Sequence, residues 1–517
     1  MSTKQTLVVI GNGMVGHNFL INLMASEIKD QFEVITFCEE PRAAYDRLHL
    51  TDFFAGKSAD DLTMVEDGFF ENNGITIHIG DKATTVNLQH KTVTSKKGLT
   101  ISYDKLVMAT GSYAFVPPIP GHDREQCLVY RTIDDLEEIT AAAKNAKVGA
   151  VIGGGLLGLE AAKVLNDLKI DTKVIQFSSR LMSAQLDDGG GKLLADKIEA
   201  LGMSVLTNKN TIEIVEGKQC KNKMIFADGE TLETDIVIFS TGIRPRDEIA
   251  RACGLKIGAR GGIVINNQCK TSDPDVYAIG ECAVWEEQIF GLVAPGYAMA
   301  RTVVADLAGK EDNFAGADMS TKLKLNGVDV ASIGDAHANT PGSMVYTYQN
   351  GKEGIYKRIV VSEDGKYLLG SVLVGDASGY GTLLQYCLNK IELPEHPDAL
   401  ILPHRSDESV GLGPDALPDS AQICSCYDVN KGQICSAIEN GCTDLATLKS
   451  TTQAATGCGG CTALLKSVLD SELEKSGIAV NTDICEHFPH TRRDLYNIVM
   501  VEEIKTFDKL IENHGSG

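Results

Sequence analysis

Two glycine-rich turns, each entered directly from a short apolar strand, constrain the fold of this chain more than any other feature. The first, Gly11-Asn12-Gly13-Met14-Val15-Gly16, follows residues 7–10, and the second, Gly153-Gly154-Gly155-Leu156-Leu157-Gly158, follows residues 148–152. A helical pattern comes after each turn, and a further strand comes after each helix. Glycines permit this tight turn and bring backbone N–H groups to a pyrophosphate at the helix N-terminus. The pattern therefore predicts two Rossmann-like, three-layer dinucleotide-binding domains of the α/β class.

The end of the second strand in each unit is where an adenosine ribose would be bound. In the first unit, residues 32–37 lead to Glu39 and Glu40, whose carboxylates can accept hydrogen bonds from ribose hydroxyls. In the second unit, residues 172–177 place Gln176 there, which can bind a hydroxyl without repelling a 2′-phosphate. The neighbours that can bind such a phosphate are Ser178, Ser179 and Arg180. The choice between NADH and NADPH therefore stays open.

Four cysteines form two close pairs, Cys424-x-Cys426 and Cys458-x-x-Cys461. Four converging thiolates can hold either an iron–sulfur cluster or a zinc ion, and the spacing alone does not name the metal. The residues between the pairs have a helical period. Residues 420–472 therefore predict a small helical domain whose folding depends on its metal centre.

The composition excludes several classes of partner. A net charge of −22 over 517 residues argues against binding to nucleic acid or to an anionic membrane surface. The chain enters a strand at once, which leaves no room for a signal peptide, and no apolar run approaches the length of a membrane span. The 14 cysteines are therefore interpreted as thiols and metal ligands rather than disulfides. We expect a soluble, cytoplasmic protein with no membrane and no nucleic-acid partner.

The remaining segments predict smaller units. Alternating apolar residues at 322–325, 355–361 and 367–374 predict an antiparallel sheet in a small α+β interface domain over residues 318–403, without chemistry of its own. Residues 405–419 have the composition of a linker. Residues 480–517 predict an incomplete helical tail, in which Cys485 and His487 resemble a metal pair without further ligands. A helical segment with one ordinary thiol is at least as good an interpretation.

Further motifs complete a family pattern. Short strands run into Ala109-Thr110-Gly111, into Thr241-Gly242 and into Gly280-Glu281. Together with the two fingerprints, these motifs resemble the two-dinucleotide-binding-domain flavoprotein disulfide reductase superfamily. The resemblance implies an FAD-binding domain of residues 1–115 and 245–312, interrupted by an NAD(P)H-binding domain of residues 116–244.

The resemblance also implies roles for individual positions. Glu160 resembles a catalytic glutamate that many members pair with a lysine, but that lysine position is Asp52 here, so the partner of Glu160 is not assigned. The residues implied for FAD are Gly11, Gly13, Met14, Val15, Gly16, Glu39, Glu40, Arg47, Ala83, Ala109, Thr110, Gly111, Gly280, Glu281 and Pro295. Those implied for NAD(P)H are Gly153, Gly155, Leu156, Leu157, Gly158, Gln176 and Gly242.

Disulfide reductases of this superfamily carry a Cys-x4-Cys or Cys-x2-Cys pair beside the flavin, and no such pair precedes Cys424 here. Electrons are therefore expected to leave the flavin singly, or to pass directly to a small acceptor. The four-cysteine domain is an outlet for single electrons, which favours iron–sulfur over zinc. It resembles the bacterioferritin-associated ferredoxin type of [2Fe-2S] domain, with ligands Cys424, Cys426, Cys458 and Cys461.

The order of these units, followed by a Cys-Glu-His-Phe-Pro-His-Thr-Arg segment at 485–492, resembles the N-terminal half of the large subunit of assimilatory NAD(P)H-dependent nitrite reductases. In that family a half that binds sirohaem and a [4Fe-4S] cluster follows, and the Cys-x5-Cys and Cys-x3-Cys motifs of that half do not occur here. We expect a fragment, a separate reductase subunit or a truncated form that does not reduce nitrite alone. The expected partners are a sirohaem/[4Fe-4S] nitrite reductase module or a nitrate reductase, and a second copy in a homodimer.

Three functions remain open at this stage. The first is an NAD(P)H-oxidising FAD/[2Fe-2S] module that feeds a nitrite or nitrate reductase. The second is a reductase for a separate rubredoxin- or ferredoxin-like carrier. The third is a redox sensor or iron-storage adaptor without catalytic activity, which rapid reduction of dyes by NAD(P)H would exclude.

Overall fold

The computed structural model describes residues 4–323, 325, 327–403, 413–457, 459–478, 488–502 and 504–515. Three residues singled out in the sequence, Cys458, Cys485 and His487, lie outside these ranges. None of the helices within them is both long and apolar enough to span a bilayer.

Two mixed units of helix and sheet occupy most of the first 307 residues. The first begins with β1 (Gln5–Ile10), α1 (Met14–Ala25), β2 (Phe32–Cys38), α2 (Thr51–Phe54), α3 (Phe69–Asn72), β3 (Thr76–Ile79), β4 (Ala83–Asn87), β5 (Thr92–Ser95), β6 (Thr100–Ser102), β7 (Lys105–Met108) and β8 (Ser112–Ala114). The second contains β9 (Cys127–Val129), α4 (Ile133–Ala143), β10 (Val148–Ile152), α5 (Leu156–Asp167), β11 (Asp171–Ile175), α6 (Asp188–Ala200), β12 (Ser204–Leu206), β13 (Thr211–Glu216), β14 (Asn222–Phe226), β15 (Thr231–Thr234), β16 (Ile236–Phe239) and β17 (Ile243–Pro245). The chain then returns to the first unit with α7 (Glu248–Ala252), β18 (Ile263–Val264), β19 (Val276–Ala278), β20 (Ala283–Val284) and α8 (Val293–Leu307).

Both units contain a five-stranded parallel sheet with the same arrangement. The strand orders are β19-β7-β1-β2-β3 in the first and β9-β16-β10-β11-β12 in the second. In each unit the chain passes from the edge strand, β3 or β12, into a three-stranded antiparallel sheet, which is β4-β5-β6 in the first and β13-β14-β15 in the second. The edge strand differs in origin, because β9 precedes its fingerprint whereas β19 arrives only after the second unit is complete. The second unit is therefore inserted within the first.

The central strands β1 and β10 are apolar over most of their length because helices and loops cover both faces of each sheet. Leu7, Val8 and Val9 of β1 are fully buried, as are Ala150 and Val151 of β10. The strands predicted around these positions are confirmed. The strand predicted at 172–177 ends at Ile175, which makes Gln176 the first residue beyond the sheet.

A third unit is an antiparallel sheet with one helix. Its elements are β21 (Thr321–Lys322), β22 (Val330–Gly334), β23 (Met344–Asn350), β24 (Ile355–Val361), β25 (Leu368–Val374) and α9 (Tyr380–Leu388), and its strand order is β21-β22-β25-β24-β23. The predicted antiparallel sheet is confirmed. The strand predicted at 322–325 is wrong in extent, because it ends at Lys322 and Leu325 forms only an isolated bridge to Val328. Strands β22 and β23 were not expected, since β22 is a buried run without alternation and β23 is an exposed edge.

This third unit packs on the second through apolar and polar contacts. Tyr356, Val372 and Val374 join the core of the second unit, while the opposite face of the sheet packs against α9. Asp187, the N-cap of α6, accepts hydrogen bonds from Tyr356 Oη and from Arg358 Nη1 (2.6 Å). A Cβ on Gly189 would lie 2.5 Å from the Tyr356 ring, so glycine in the first turn of α6 allows this close approach.

The C-terminal elements are short helices around a small hairpin. They are β26 (Gln422–Cys424), β27 (Val429–Asn430), α10 (Lys431–Glu439), α11 (Leu445–Thr452), α12 (Thr462–Lys475), α13 (Arg492–Val501) and α14 (Phe507–His514). The hairpin and α10 to α12 share a core that includes Ile434, Leu448 and Leu465, all with no exposed surface. Helical structure was predicted here, and the hairpin was not.

Candidate cofactor and electron-transfer site

The first glycine fingerprint joins β1 to α1 through glycines with distinct functions. Gly11 has a φ of +110°, and a Cβ there would lie 2.2 Å from the Ala109 carbonyl oxygen. A Cβ on Gly16 would lie 2.1 Å from the Gly11 carbonyl oxygen, so both positions require glycine for packing. At Gly13, by contrast, no described atom lies within 4 Å of the added Cβ. The open space at Gly13 faces the N-terminus of α1, where a pyrophosphate would be bound.

The second fingerprint repeats this geometry between β10 and α5. Gly153 has a φ of +115°, and its Cβ would lie 2.1 Å from the Ser240 carbonyl oxygen. A Cβ on Gly158 would lie 1.8 Å from the Gly153 carbonyl oxygen, whereas none of the described atoms lies within 4 Å of a Cβ on Gly155. The two turns are therefore equivalent, and each leaves its middle glycine open to a ligand.

A single cavity of about 850 Å³ extends from the first fingerprint to the cysteine-rich hairpin. Its lining includes Gly11 and Gly13 of the first unit together with Leu157 and Glu160 of the second. Predicted site residues that line it are Gly11, Gly13, Met14, Val15, Glu39, Glu40, Arg47, Ala83, Ala109, Thr110, Gly111, Leu156, Leu157, Glu160, Gly280, Glu281, Cys424, Cys426 and Cys461. The predicted residues that the structure places outside its lining are Gly16, Gly153, Gly155, Gly158, Gln176, Gly242 and Pro295.

Four buried polar atoms around this cavity find no hydrogen-bond partner within the described part of the chain. They are Asn12 Nδ2, Tyr130 Oη, Arg131 Nε and Thr321 Oγ1. Buried polar groups are nearly always hydrogen-bonded, so these atoms indicate a polar ligand. The length of the cavity, the open glycine and these donors together fit a dinucleotide such as FAD.

The two acidic residues after β2 have different surroundings. Glu39 lies at the rim, where it pairs with Lys82 (3.1 Å) and with Arg246. Glu40 accepts hydrogen bonds from Tyr45 Oη (2.8 Å) and from Arg47. Arg47 lines the cavity and is neutralised by Glu40, and Glu39 is the more exposed of the two carboxylates.

Arg131 is a cavity residue that the sequence reasoning missed. Its guanidinium pairs with Glu281 and donates to Ser112 Oγ (2.7 Å), which in turn donates to Glu281 (2.7 Å). The three residues come from separate segments, and their side chains meet in the wall of the cavity. Arg131 stands directly before Thr132, the N-cap of α4. Because Arg131 balances Glu281, an acid at position 281 does not leave a net negative charge beside a phosphate.

The predicted catalytic residue Glu160 lies on α5 and lines the cavity. Its neighbour is Tyr130, whose pKa is raised by burial and further raised by the carboxylates of Glu160 and Asp52. Asp52 accepts a hydrogen bond from Lys57 Nζ (2.7 Å). Position 52, which is a lysine in many members of the superfamily, is therefore an aspartate that pairs with Lys57. The residue beside Glu160 is Tyr130.

Gln176 supports the second fingerprint directly. Its Oε1 accepts a hydrogen bond from the Gly154 N–H (2.7 Å), and its Nε2 donates to Ser178 Oγ. Arg180, which was expected to be able to bind a phosphate, instead donates to Asp188 (2.7 Å) and to the Leu186 carbonyl oxygen (2.8 Å). The arginine is thus engaged within its own loop.

Three of the four predicted ligand cysteines lie together in the lining of the same cavity. Hydrogen bonds from the thiols of Cys426 and Cys461 lower the pKa of Cys424 well below its ordinary value. The fourth, Cys458, lies outside the described residues. No set of three or more described Cys, His, Asp or Glu side chains is arranged to hold a metal ion by itself. The three adjacent thiols, with glycines on either side of Cys458, fit the sulfur ligation of an iron–sulfur cluster.

Comparison with known proteins agrees with this geometry. The family model described as pyridine nucleotide-disulphide oxidoreductase matches residues 5–305. A rubredoxin NAD+ reductase C-terminal domain matches residues 320–391, and a BFD-like [2Fe-2S] binding domain matches residues 422–471. The [2Fe-2S] assignment is therefore confirmed at the level of the domain.

Two curated relatives match the whole chain. The large subunit of nitrite reductase (NADH) from Escherichia coli (strain K12) is 55% identical, and the chain covers 61% of its length. The large subunit of nitrite reductase [NAD(P)H] from Klebsiella oxytoca is 53% identical, with 54% of its length covered. The predicted resemblance to nitrite reductase large subunits is confirmed, and the chain spans little more than half the length of these relatives.

A solved structure of an NAD-dependent persulfide reductase from A. fulgidus superposes with a TM-score of 0.68. It covers 75% of this chain and 77% of its own, at 23% identity, and so supports the fold alone. The paired fingerprints, the shared cavity and the matched domains lead to one classification. The chain belongs to the pyridine nucleotide-disulphide oxidoreductase family, as an NAD(P)H-dependent FAD oxidoreductase that also carries a [2Fe-2S] domain.

Proposed function

We propose that this chain takes electrons from NAD(P)H and delivers them, through FAD and its [2Fe-2S] domain, to a sirohaem-containing nitrite reductase module in nitrite assimilation. One observation supports this above all: Gly13 of the first unit, Leu157 of the second and Cys426 of the C-terminal hairpin line one cavity. The three redox centres would then be neighbours in one chain. The names of the two relatives supply the nitrite reductase module as the acceptor.

We assign FAD to the cavity and NAD(P)H to the second fingerprint. Backbone N–H groups at the start of α1 would hold the FAD pyrophosphate, and Glu39 would accept hydrogen bonds from the ribose. The equivalent N–H groups at the start of α5 would hold the NAD(P)H pyrophosphate, with Gln176 bracing that turn through Gly154. The domain boundaries proposed from the sequence, with FAD on residues 1–115 and 245–312 and NAD(P)H on 116–244, follow the same division.

Cofactor chemistry and protein chemistry are separate in this scheme. FAD, when bound, supplies the conversion from hydride transfer to single-electron transfer. The chain orients both dinucleotides, and Leu156 and Leu157 exclude water from the space between them. Tyr130 stays protonated at neutral pH, since its pKa is raised, and its Oη, which has no partner among the described residues, is available to donate a hydrogen bond to a bound cofactor beside Glu160. Glu160 is then placed to hold or release the proton that accompanies hydride chemistry.

Two further assignments complete the proposal. None of the twelve described cysteines is disulfide-bonded to another described cysteine, which supports a reducing compartment and hence the cytoplasm. A homodimer is the proposed assembly, and light scattering on the purified protein measures it directly.

The central test is the absorption spectrum of the purified protein before and after anaerobic NADH. We expect a flavin band with [2Fe-2S] shoulders, about one FAD and two iron atoms per chain, and bleaching of both chromophores by NADH. Stoichiometric zinc without iron would contradict the cluster. A bleached flavin beside an unreduced cluster would contradict the electron route.

The acceptor requires a separate test. Mixing the protein with a purified sirohaem nitrite reductase module should give NADH-dependent consumption of nitrite. A nitrate reductase or a separate rubredoxin- or ferredoxin-like carrier is the second candidate, and the match of residues 320–391 to a rubredoxin reductase domain favours it. Faster reduction of such a carrier than of the sirohaem module would replace the first candidate by the second.

A further inference from the structure

Helix α8 contacts both the flavin cavity and the cysteine-rich hairpin. Its first residues, Val293 and Ala294, line the cavity. Ala294 also packs against the core shared by the hairpin and α10 to α12, which we call the cluster unit. Two more residues of α8, Tyr297 and Arg301, contact the hairpin, as described below. Their spacing of three and four residues places all three contacts on one face of the helix.

Tyr427, the residue after Cys426, lies at the centre of this contact. Its ring centroid is 5.8 Å from that of Tyr297, with the planes inclined by 56°. Tyr297 is almost completely buried, with 1% of its surface exposed. On its other side Tyr427 packs on Gly457, where an added Cβ would lie 3.2 Å from the tyrosine ring and 3.4 Å from Cys426 Cβ. Tyr427 thus joins α8, the first cysteine pair and the segment that precedes the second pair.

An ion pair lies one turn of α8 beyond Tyr297 and adds to the contact between this helix and the hairpin. Arg301 Nη2 lies 3.7 Å from Asp428 Oδ2, and both side chains are partly exposed. Such a pair adds little stability by itself, but it restricts the direction in which the hairpin meets the helix. A second anchor lies on α9, where Gln385 Nε2 donates to the Gln422 carbonyl oxygen (2.9 Å). Helices α8 and α9 therefore hold the hairpin from two sides, and both reach the cavity, α8 through Val293 and Ala294 and α9 through Tyr380 and Leu384.

We propose that Tyr427 is a positioning residue for transfer of single electrons from the flavin to the cluster, acting through its ring contact with Tyr297 on α8. The inference rests on the proposed function. Each hydride brings two electrons, and a [2Fe-2S] cluster carries one at a time. The cluster must therefore be reduced by the flavin and re-oxidised by its acceptor twice per NAD(P)H, so its approach to the flavin must be reproducible. The tyrosine pair fixes that approach.

The test compares Tyr427→Ala with Tyr427→Phe and with Tyr496→Ala, an exposed tyrosine on α13. Stopped-flow absorption separates reduction of the flavin by NADH from the later reduction of the cluster. We expect Tyr427→Ala to slow the second step by about two- to tenfold, the range that loss of one aromatic pair implies for the docked population. Flavin reduction, iron content and the electron paramagnetic resonance spectrum of the chemically reduced cluster should not change. Tyr427→Phe keeps the ring and should behave like the wild type, as should Tyr496→Ala.

A readout independent of turnover is hydrogen exchange in the resting protein. Peptides covering residues 293–301 and 422–430 should exchange faster in Tyr427→Ala, because their mutual contact is weakened. If Tyr427→Ala loses its iron, the same contact is tested through the ion pair between Arg301 and Asp428. Arg301→Glu should slow cluster reduction by about two- to fivefold, and the double variant Arg301→Glu/Asp428→Arg should restore it.

The proposal fails if the wild-type cluster is reduced quickly and Tyr427→Ala reduces it at the same rate. It also fails if the Phe variant is as slow as the Ala variant, since the ring would then not be the cause. If NADH reduces the flavin but never the cluster in the wild type, the proposed function itself fails. These results are distinct, so the two proposals can be rejected separately.

Discussion

The last glycine of each fingerprint leads to a specific prediction, which we develop for Gly158→Ala. The added Cβ would lie 1.8 Å from the Gly153 carbonyl oxygen, and an ordinary contact of 3.4 Å requires about 1.6 Å more separation. The obstructing atom belongs to the backbone of the turn, so α5 and β10 must move apart. Overpacking of this kind costs about 1–3 kcal/mol. A displacement above 1 Å at a positioning group costs on the order of 10²-fold in kcat/KM.

The assay is flavin reduction by NADH and NADPH with a dye as acceptor, together with the FAD content and the melting temperature. We expect Gly158→Ala to lose about 10²-fold in kcat/KM for both nicotinamides while FAD stays bound. Gly155→Ala is the matched control, because its Cβ meets no described atom within 4 Å and its φ of −86° suits any residue. Its melting temperature should equal that of the wild type.

A second comparison tests the equivalence of the two turns. Gly16→Ala brings a Cβ to 2.1 Å from the Gly11 carbonyl oxygen and should release FAD. If Gly158→Ala retains the wild-type kcat/KM, or if Gly16→Ala retains FAD and loses only NAD(P)H affinity, the assignment of the two fingerprints is refuted.

Four other changes have defined outcomes. Gly155→Glu should abolish flavin reduction by NAD(P)H through bulk and charge while the FAD content stays the same; a normal rate would place the pyrophosphate elsewhere. Gln176→Glu should shift the ratio of kcat/KM toward NADH by about tenfold, or ~1.4 kcal/mol, because a carboxylate repels a 2′-phosphate; an unchanged ratio would show that the ribose is recognised by other residues. Cys461→Ser should remove the cluster iron and leave flavin reduction by NADH intact, and an equal loss of both would contradict independent units. Burial alone would raise the pKa of Asp187, but hydrogen bonds from Tyr356 and Arg358 outweigh it and lower that pKa, so its stabilisation is present above the ordinary carboxyl pKa and is lost as the pH falls through the lowered one. Asp187→Asn should therefore cost about 1.5–3 kcal/mol of stability at pH 7, and the difference in melting temperature from the wild type should shrink below about pH 4.

The sequence by itself determined the class of fold and the cofactors. Gly11 to Gly16 and Gly153 to Gly158 are local signals, because a strand, a turn and a helix form from neighbouring residues and the glycine spacing reports a backbone that approaches a pyrophosphate. The cysteine spacing is local in the same sense. These features could be interpreted without knowing which distant segments meet.

The tertiary structure decided the partners of each site residue. Arg131, Ser112 and Glu281 converge from segments up to 169 residues apart, and no periodicity in the chain reports such a meeting. Tyr130 beside Glu160, and Arg180 engaged by Asp188, are likewise set by long-range packing or by the path of one loop. The docking of Tyr427 on Tyr297 depends on helix α8 returning to the first unit after the second is complete. The sequence gives the chemical nature of each side chain directly. The position of that side chain relative to distant residues depends on how separate elements bury their apolar faces against one another.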